Sequence, residues 1–310
     1  MEAIEKFLFH CEFEKRLSSK TLKAYSIDLA QFKSHMLTQF GLTDVSQIGK
    51  EELKHYIQYL SQFMPKTIKR KLAATKAMFN FLEFEEFIET NPFRKVRIRI
   101  KEPKVLPRVM NIQETTQLFQ AAYRELRDME GKPDSYAYME KVRDVAVFEL
   151  LFGTGVRVSE LCSLKYADIG IDFSSVRVNG KGSKERNIQI INADIKRALR
   201  NYYQSFSAVI GTQEYFFINR FGNRLSEQSV RLMIRKYRKK CNITKNVTPH
   251  VFRHTFATLL LEQDVDIKYI QNLLGHSSIL TTQIYTHVST EKQTEILEKK
   301  HPRNDLVVSR

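Results

Sequence analysis

Two prolines set in a basic stretch constrain this chain more than any other feature of its sequence. Lys95 to Arg108 contains Pro103 and Pro107 and follows closely on Pro92. Proline has no backbone donor and fixes φ, so neither a helix nor a central strand runs through such a segment. The spacing predicts an extended linker over 95–110, dividing the 310 residues into an amino-terminal domain over 1–94 and a carboxy-terminal one over 111–310. Each domain is long enough to bury a core of its own. The linker is also the most basic part of the chain, with 6 basic and 1 acidic side chains, against 14 and 12 before it and 30 and 22 after it. A net charge of +15 implies an anionic polymer partner, whether nucleic acid, an acidic protein or anionic lipid. A merely solvated surface is the plainer alternative.

The same sequence excludes several classes. No apolar run approaches the roughly 20 residues needed to cross a bilayer, so no membrane association is expected. Met1 opens onto Glu2, Glu5 and Lys6, unlike a secretory leader, which points to the cytoplasm. Three widely spaced cysteines, Cys11, Cys162 and Cys241, suit reduced thiols better than a disulfide framework or a zinc site.

Periodicity gives a mainly α fold with a small β-sheet. Tyr25, Leu29, Phe32 and Met36 recur at helical spacing, as do Leu72, Met78, Phe79 and Leu82, which predicts a small helical bundle in the first domain. Thr67, Lys69, Arg70, Lys71 and Lys76 crowd the front of the second of these helices, where a basic helix start can approach phosphates. A solvated helix face explains them equally well. Beyond the linker, helices are expected over Ile112–Leu126, Val142–Phe152 and Ser226–Cys241, the last carrying Arg231, Arg235, Lys236, Arg238, Lys239 and Lys240 opposite Val230, Ile234 and Tyr237. Ile171–Val178 and Arg186–Ile190 have strand character, joined by Asn179-Gly180-Lys181-Gly182-Ser183, which reads as a β-hairpin.

Several positions carry chemistry. Thr248-Pro249 predicts a helix start, placing His250 and Arg253 three apart near its amino end, where an anion is favoured. Gly275 ends the next helix after Asp266, so His276 follows a helix terminus, and Tyr285 comes nine residues later. Arg157 follows Gly153-Thr154-Gly155, and Lys181 sits between Gly180 and Gly182. Taken singly, each has an ordinary structural reading: a satisfied histidine, a half-buried aromatic, a tight turn, a surface lysine. The Gly180-Lys181 pair lacks the earlier glycine and following Ser/Thr of a P-loop, which argues against an ATPase. His250 and His254 have zinc-helix spacing without the glutamate base between them, so no metal is expected.

The order and combination of these pieces resembles the tyrosine site-specific recombinases of the phage-integrase family, and the Xer type among them. That signature runs through an arginine before Ser-Glu-Leu, a Gly-Lys-Gly hairpin, His-x-x-Arg-His, Leu-Gly-His and a tyrosine. Here these are Arg157, Lys181, His250 with Arg253, His276 and Tyr285. The amino-terminal half is similar to the family's helical core-binding domain at Ser19–Tyr25 and Lys66–Leu72, so the resemblance spans nearly the whole chain. It implies a two-domain clamp around double-stranded DNA, with no cofactor. Tyr285 would be the nucleophile forming a 3′-phosphotyrosyl bond, and Arg157 and Arg253 would stabilise the nonbridging oxygens. Lys181 would protonate the leaving 5′-oxygen, His250 would move the tyrosine's proton, His276 would bond the phosphate, and Glu160 would support the site. Lys20, Thr21, Lys66, Thr67, Arg70, Lys71, Arg97, Arg99, Lys101, Arg231 and Arg235 are the expected DNA contacts. The terminal segment Ser289–Lys300 reads as a helix which, in relatives, packs on a neighbouring protomer. The resemblance thus implies a homo-oligomer on DNA, a tetramer around two sites, with room for a second recombinase or accessory protein. The rival readings are a type IB topoisomerase-like nicking-closing enzyme and a DNA-binding accessory protein of the same fold. Arg127–Met139 is longer than in the shortest family members, with no partner evident for it in the sequence.

Overall fold

The computed structural model describes residues 2–101, 109–132, 135–180, 185–210, 214–275 and 290–306. It divides into two compact units, Met1–Val105 and Leu106–Arg310. Among the described residues it is mostly helical, with one two-stranded sheet, and no helix is long and apolar enough to cross a membrane.

The first unit is built from α1 (Glu2–Phe9), continued by a π-helical turn over His10–Glu14, then α2 (Ser19–Phe40), α3 (Lys50–Leu60) and α4 (Pro65–Phe84). Local chemistry sets the ends. Ser18 caps α2 by accepting from the Thr21 amide, Gly41 closes it in the left-handed region, and Pro65 stands in the first turn of α4. Phe7, Leu29, Phe32, Leu53, Tyr56, Met78, Phe79 and Leu82 form the core. A buried charge fixes α4 on α2. Asp28, fully buried, accepts from Arg70 and, at 3.0 Å, from Lys71, whose ammonium also bonds Gln31. The chain does not leave this unit at Lys95. Val96, Ile98 and Ile100 pack on the same core while Arg97, Arg99 and Lys101 alternate with them into solvent, the two-residue period of extended backbone.

In the second unit, α5 (Ile112–Arg127) opens on a capping box in which Asn111 and Glu114 exchange bonds of 2.7 and 2.9 Å. Then α6 (Tyr136–Thr154) runs through the middle, every residue from Val142 to Thr154 buried. After α7 (Val158–Ser163), strands β1 (Ser175–Asn179) and β2 (Glu185–Gln189) pair antiparallel with Val178 opposite Arg186. The expected strand start at Ile171 is instead a 3-10 turn, because Asp172 and Phe173 both have positive φ and interrupt the extended run. The remaining helices are α8 (Ala193–Ile210), α9 (Glu227–Lys240), α10 (Pro249–Glu262), α11 (Ile267–Leu274) and α12 (Thr290–Lys300). Thr248 occupies the cap position of α10 without a side-chain bond.

Helix α9 is less free a basic surface than its sequence suggests. Lys236 and Lys240 are paired with Glu125 of α5, and Arg231 with Glu227 one turn back. At the same junction the Tyr237 hydroxyl lies 3.2 Å from Glu125 and 3.1 Å from Asp144, and has one hydrogen to give. Burial alone would raise the Glu125 carboxyl, yet Lys240, Lys236 and Lys141 bring it down to about 2. Asp144 has too little compensation, and burial lifts it from 3.8 to about 6. Its folded pKa therefore exceeds its unfolded one, so its contribution to stability is full below about pH 4 and is lost as pH rises through 6. We expect Asp144→Asn to gain about 2 kcal/mol on the wild type between pH 4 and pH 7. Urea unfolding of both proteins across that range checks this, and parallel stability curves would contradict it.

Candidate active site

Two glycine turns build the site. Helix α6 stops at Gly155 and α11 at Gly275, with φ of +61° and +63°, and both amides close back on their own helices. The turns lie against one another. A Cβ on Gly155 would meet Leu274 at 2.6 Å and Phe256 at 2.7 Å, so the close approach itself requires glycine.

Arg157 caps α7 just past the first turn. Its amide and its guanidinium both donate to Glu160, at 2.8 and 2.7 Å, and Nη2 reaches the Gly275 carbonyl at 3.2 Å. Arg253, nearly fully buried on α10, bridges both turns, donating to the Gly155 carbonyl at 2.7 Å and the Leu274 carbonyl at 2.6 Å. Arg186 on β2 completes the cluster, with Nη1 and Nη2 on the two Glu160 oxygens at 3.1 and 2.9 Å and Nε on the Leu273 carbonyl at 2.9 Å. Burial would raise the Glu160 carboxyl, but Arg186 and Arg157 overcome it and hold the group below its usual range. Burial, reinforced by Arg157, brings Arg253 down to about 9, still protonated at neutral pH. Three guanidinium groups thus gather round one carboxylate, which bonds two of them, and the charge surplus suits an oxyanion such as a phosphate diester. His250 is exposed in the first turn of α10, one turn before Arg253.

Arg157, Glu160 and Arg253 are therefore brought together, while Lys181, His276 and Tyr285 lie outside the described residues. Lys181 falls in sequence between the paired ends Asn179 and Glu185, and His276 follows Gly275 directly. The sequence reading missed Arg186. Its register was a signal, because an arginine opposite buried Val178 and two residues from buried Ile188 occupies the inward face of the strand.

The expected DNA contacts differ in their surroundings. Lys20, Lys66, Arg97, Arg99, Lys101 and Arg235 are exposed, Thr21 and Thr67 are half-buried, and Arg70 and Arg231 are exposed but ion-paired. Lys71 is a correction. It is buried and its ammonium is held by Asp28 and Gln31, so it fixes α4 to α2 and does not reach a phosphate.

The last described segment is tied in firmly. Leu297 of α12 is buried with Phe256 and Leu260 of its own chain. His301 lies 2.7 Å from the Gly153 carbonyl through Nε2 and accepts from the Arg303 amide at Nδ1, which fixes a neutral ring with its hydrogen on Nε2. Consistently, burial pushes this imidazole down to about 4. Arg303 makes a forked pair with Glu149, at 2.9 to 3.1 Å, both side chains essentially inaccessible.

The chain belongs to the phage integrase family: residues 113–292 match the Phage integrase family and residues 4–86 the Phage integrase, N-terminal SAM-like domain. It is 43% identical over 303 residues, 97% of each chain, to a tyrosine recombinase of Agathobacter rectalis. It is 36% identical over 307 residues, again 97% of each, to tyrosine recombinase XerC of Myxococcus xanthus. Among solved structures it shares its fold with XerH site-specific recombinase bound to difH substrate, with a TM-score of 0.69, 19% identity, and 94% and 83% of the two chains covered. A lambda integrase dimer bound to a COC′ core site matches with a TM-score of 0.67, 19% identity, and 93% and 98% covered.

Proposed function

We propose that this protein carries out site-specific recombination of double-stranded DNA, cutting and rejoining strands through a 3′-phosphotyrosyl bond to Tyr285. The observation that carries this reading is the Arg157–Glu160–Arg253 cluster on two packed glycine turns, the second leading directly to His276 and, nine residues on, to Tyr285.

In the proposed reaction the Tyr285 hydroxyl attacks phosphorus, its proton passing to His250, while the 5′-oxygen departs with a proton from Lys181. Arg157 and Arg253, held before substrate arrives, neutralise charge building on the nonbridging oxygens, and His276 bonds the same phosphate. Rejoining reverses these steps with the 5′-hydroxyl of another strand. Phosphodiester energy stays in the protein–DNA bond, so the cycle needs neither nucleotide nor metal. The two units, Met1–Val105 and Leu106–Arg310, close on the duplex, with the basic residues of 95–110 lying along the end of the first and the junction between them. Lys20, Thr21, Lys66, Thr67, Arg70, Arg97, Arg99, Lys101, Arg231 and Arg235 contact mainly the DNA backbone. Four copies assemble on two sites in the cytoplasm, alone or with a second recombinase or accessory protein. The recombinase names of the close relatives disfavour the nicking-closing reading.

The test is trapping. Nicked suicide duplexes tiled from the DNA flanking the gene are incubated with the full chain, and any covalent adduct is digested and mapped. Linkage at Tyr285, absent from Tyr285→Phe, is the expected result. Tight DNA binding with no adduct, or linkage at another residue, overturns the proposal.

A further inference from the structure

The least expected member of the cluster is Arg186. All three of its nitrogens are engaged: Nη1 and Nη2 hold the two oxygens of Glu160 and Nε holds the Leu273 carbonyl. Its side chain is 13% exposed. Gly275 lies flat against it, for a Cβ there would meet Nη1 at 3.0 Å and Cδ and Cζ at 3.3 Å. One side chain thus touches three pieces of the site. It stands on the strand that pairs with the stretch before Lys181, it grips the carboxylate that orients Arg157, and it supports the turn before His276.

We propose that Arg186 is a positioning residue for strand cleavage, acting through Glu160 and the Leu273–Gly275 turn and never touching the phosphate. This rests on the recombinase reading above. The mechanism is electrostatic as well as steric. Glu160 is buried and ionised, and Arg186 offers it a two-pronged partner, which leaves the Arg157 guanidinium one bond to the carboxylate and one to the Gly275 carbonyl, with its other N–H groups for a substrate oxygen. Without Arg186 the carboxylate has Arg157 as its nearest remaining cation and draws that fork inward, away from the phosphate. A lysine at 186 offers one compact point charge in place of three directed donors and cannot hold both Glu160 oxygens and the Leu273 carbonyl in this geometry.

The coupling through Glu160 separates this role from a general loss of stability. Full-length wild type, Arg186→Met, Arg186→Lys, Glu160→Gln and the Arg186→Met/Glu160→Gln double variant are compared on the nicked duplexes for single-turnover cleavage, DNA affinity and melting temperature. Arg186→Met is expected to cleave about 100-fold more slowly while binding DNA within about threefold of wild type, because a small displacement of catalytic groups costs rate and not affinity. The double variant is expected to cleave faster than Arg186→Met alone, since removing the orphaned carboxylate frees Arg157 again. Arg186→Lys should fall between wild type and Arg186→Met at an unchanged melting temperature, which keeps the test open if the methionine variant folds poorly. Cleavage by Arg186→Lys at the wild-type rate, independent multiplication of the two single losses, or a rate loss that tracks melting temperature overturns the proposal. If wild type itself forms no adduct, the recombinase reading fails first and takes this proposal with it.

Discussion

Arg253→Lys is expected to slow strand cleavage by about 10²–10³-fold while leaving DNA affinity within a few fold, the scale of losing one preorganised donor at a developing oxyanion. The reason lies in how the guanidinium is used. Two of its five N–H groups are already spent on the Gly155 and Leu274 carbonyls, and the others remain to meet a nonbridging oxygen. A lysine ammonium cannot span two carbonyls and a phosphate at once, and it leaves at least one buried carbonyl without a donor. The side chain is 4% exposed, so water does not readily replace what is lost. Single-turnover cleavage of a nicked duplex at saturating protein measures the effect. A lysine variant cutting within threefold of wild type would remove Arg253 from the charge-stabilising set.

The elements were legible in the sequence wherever short-range chemistry decided them. Asn111 with Glu114, Ser226 and Asp266 announce helix starts, and Gly275 announces a helix end. Helices expected over 112–126 and 226–241 run over 112–127 and 227–240. The beginning of α6 was harder, because Ser135 caps it beyond a polar stretch with no apolar period to mark the first turn. Among the site residues, the three-residue spacing lets Glu160 accept from both the amide and the guanidinium of Arg157 at the start of α7, so this pair could be read locally. Arg253 could be placed on a helix, but its carbonyl partners come from turns 98 and 21 residues away. Lys71 misled for the same reason. In the sequence it belongs to a basic helix start, and only the packing of α2 on α4, which brings Asp28 and Gln31 against it, shows that its ammonium is already engaged. Side-chain charge is written in sequence, whereas the partner that consumes it is set by tertiary contact.

The most remote of these partnerships carries the second large prediction. Arg303→Met is expected to cost about 3–5 kcal/mol of stability in the second unit, because it strands a buried carboxylate. Glu149 is fully buried in the middle of α6, and Arg303, 154 residues later, supplies three of its hydrogen bonds while Tyr123 donates the fourth at 2.7 Å. The same guanidinium also donates to the Leu306 carbonyl and lies over the Phe119 ring, so it is a principal anchor of the chain after α12, beside His301. Little of the loss should come from the ion pair as such, since desolvating two charges offsets most of their attraction. It should come from leaving one of them alone. Glu149→Gln in the Arg303→Met background should therefore recover much of the stability. His301 adjoins this anchor and meets the Gly153 carbonyl, two residues before the turn that leads to Arg157. Loosening Arg303 is accordingly expected to disturb the Gly153–Arg157 turn as well as the terminal segment. Denaturant unfolding of the single and double variants decides the matter: equal instability in both would mean that the stranded carboxylate is not the source of the cost.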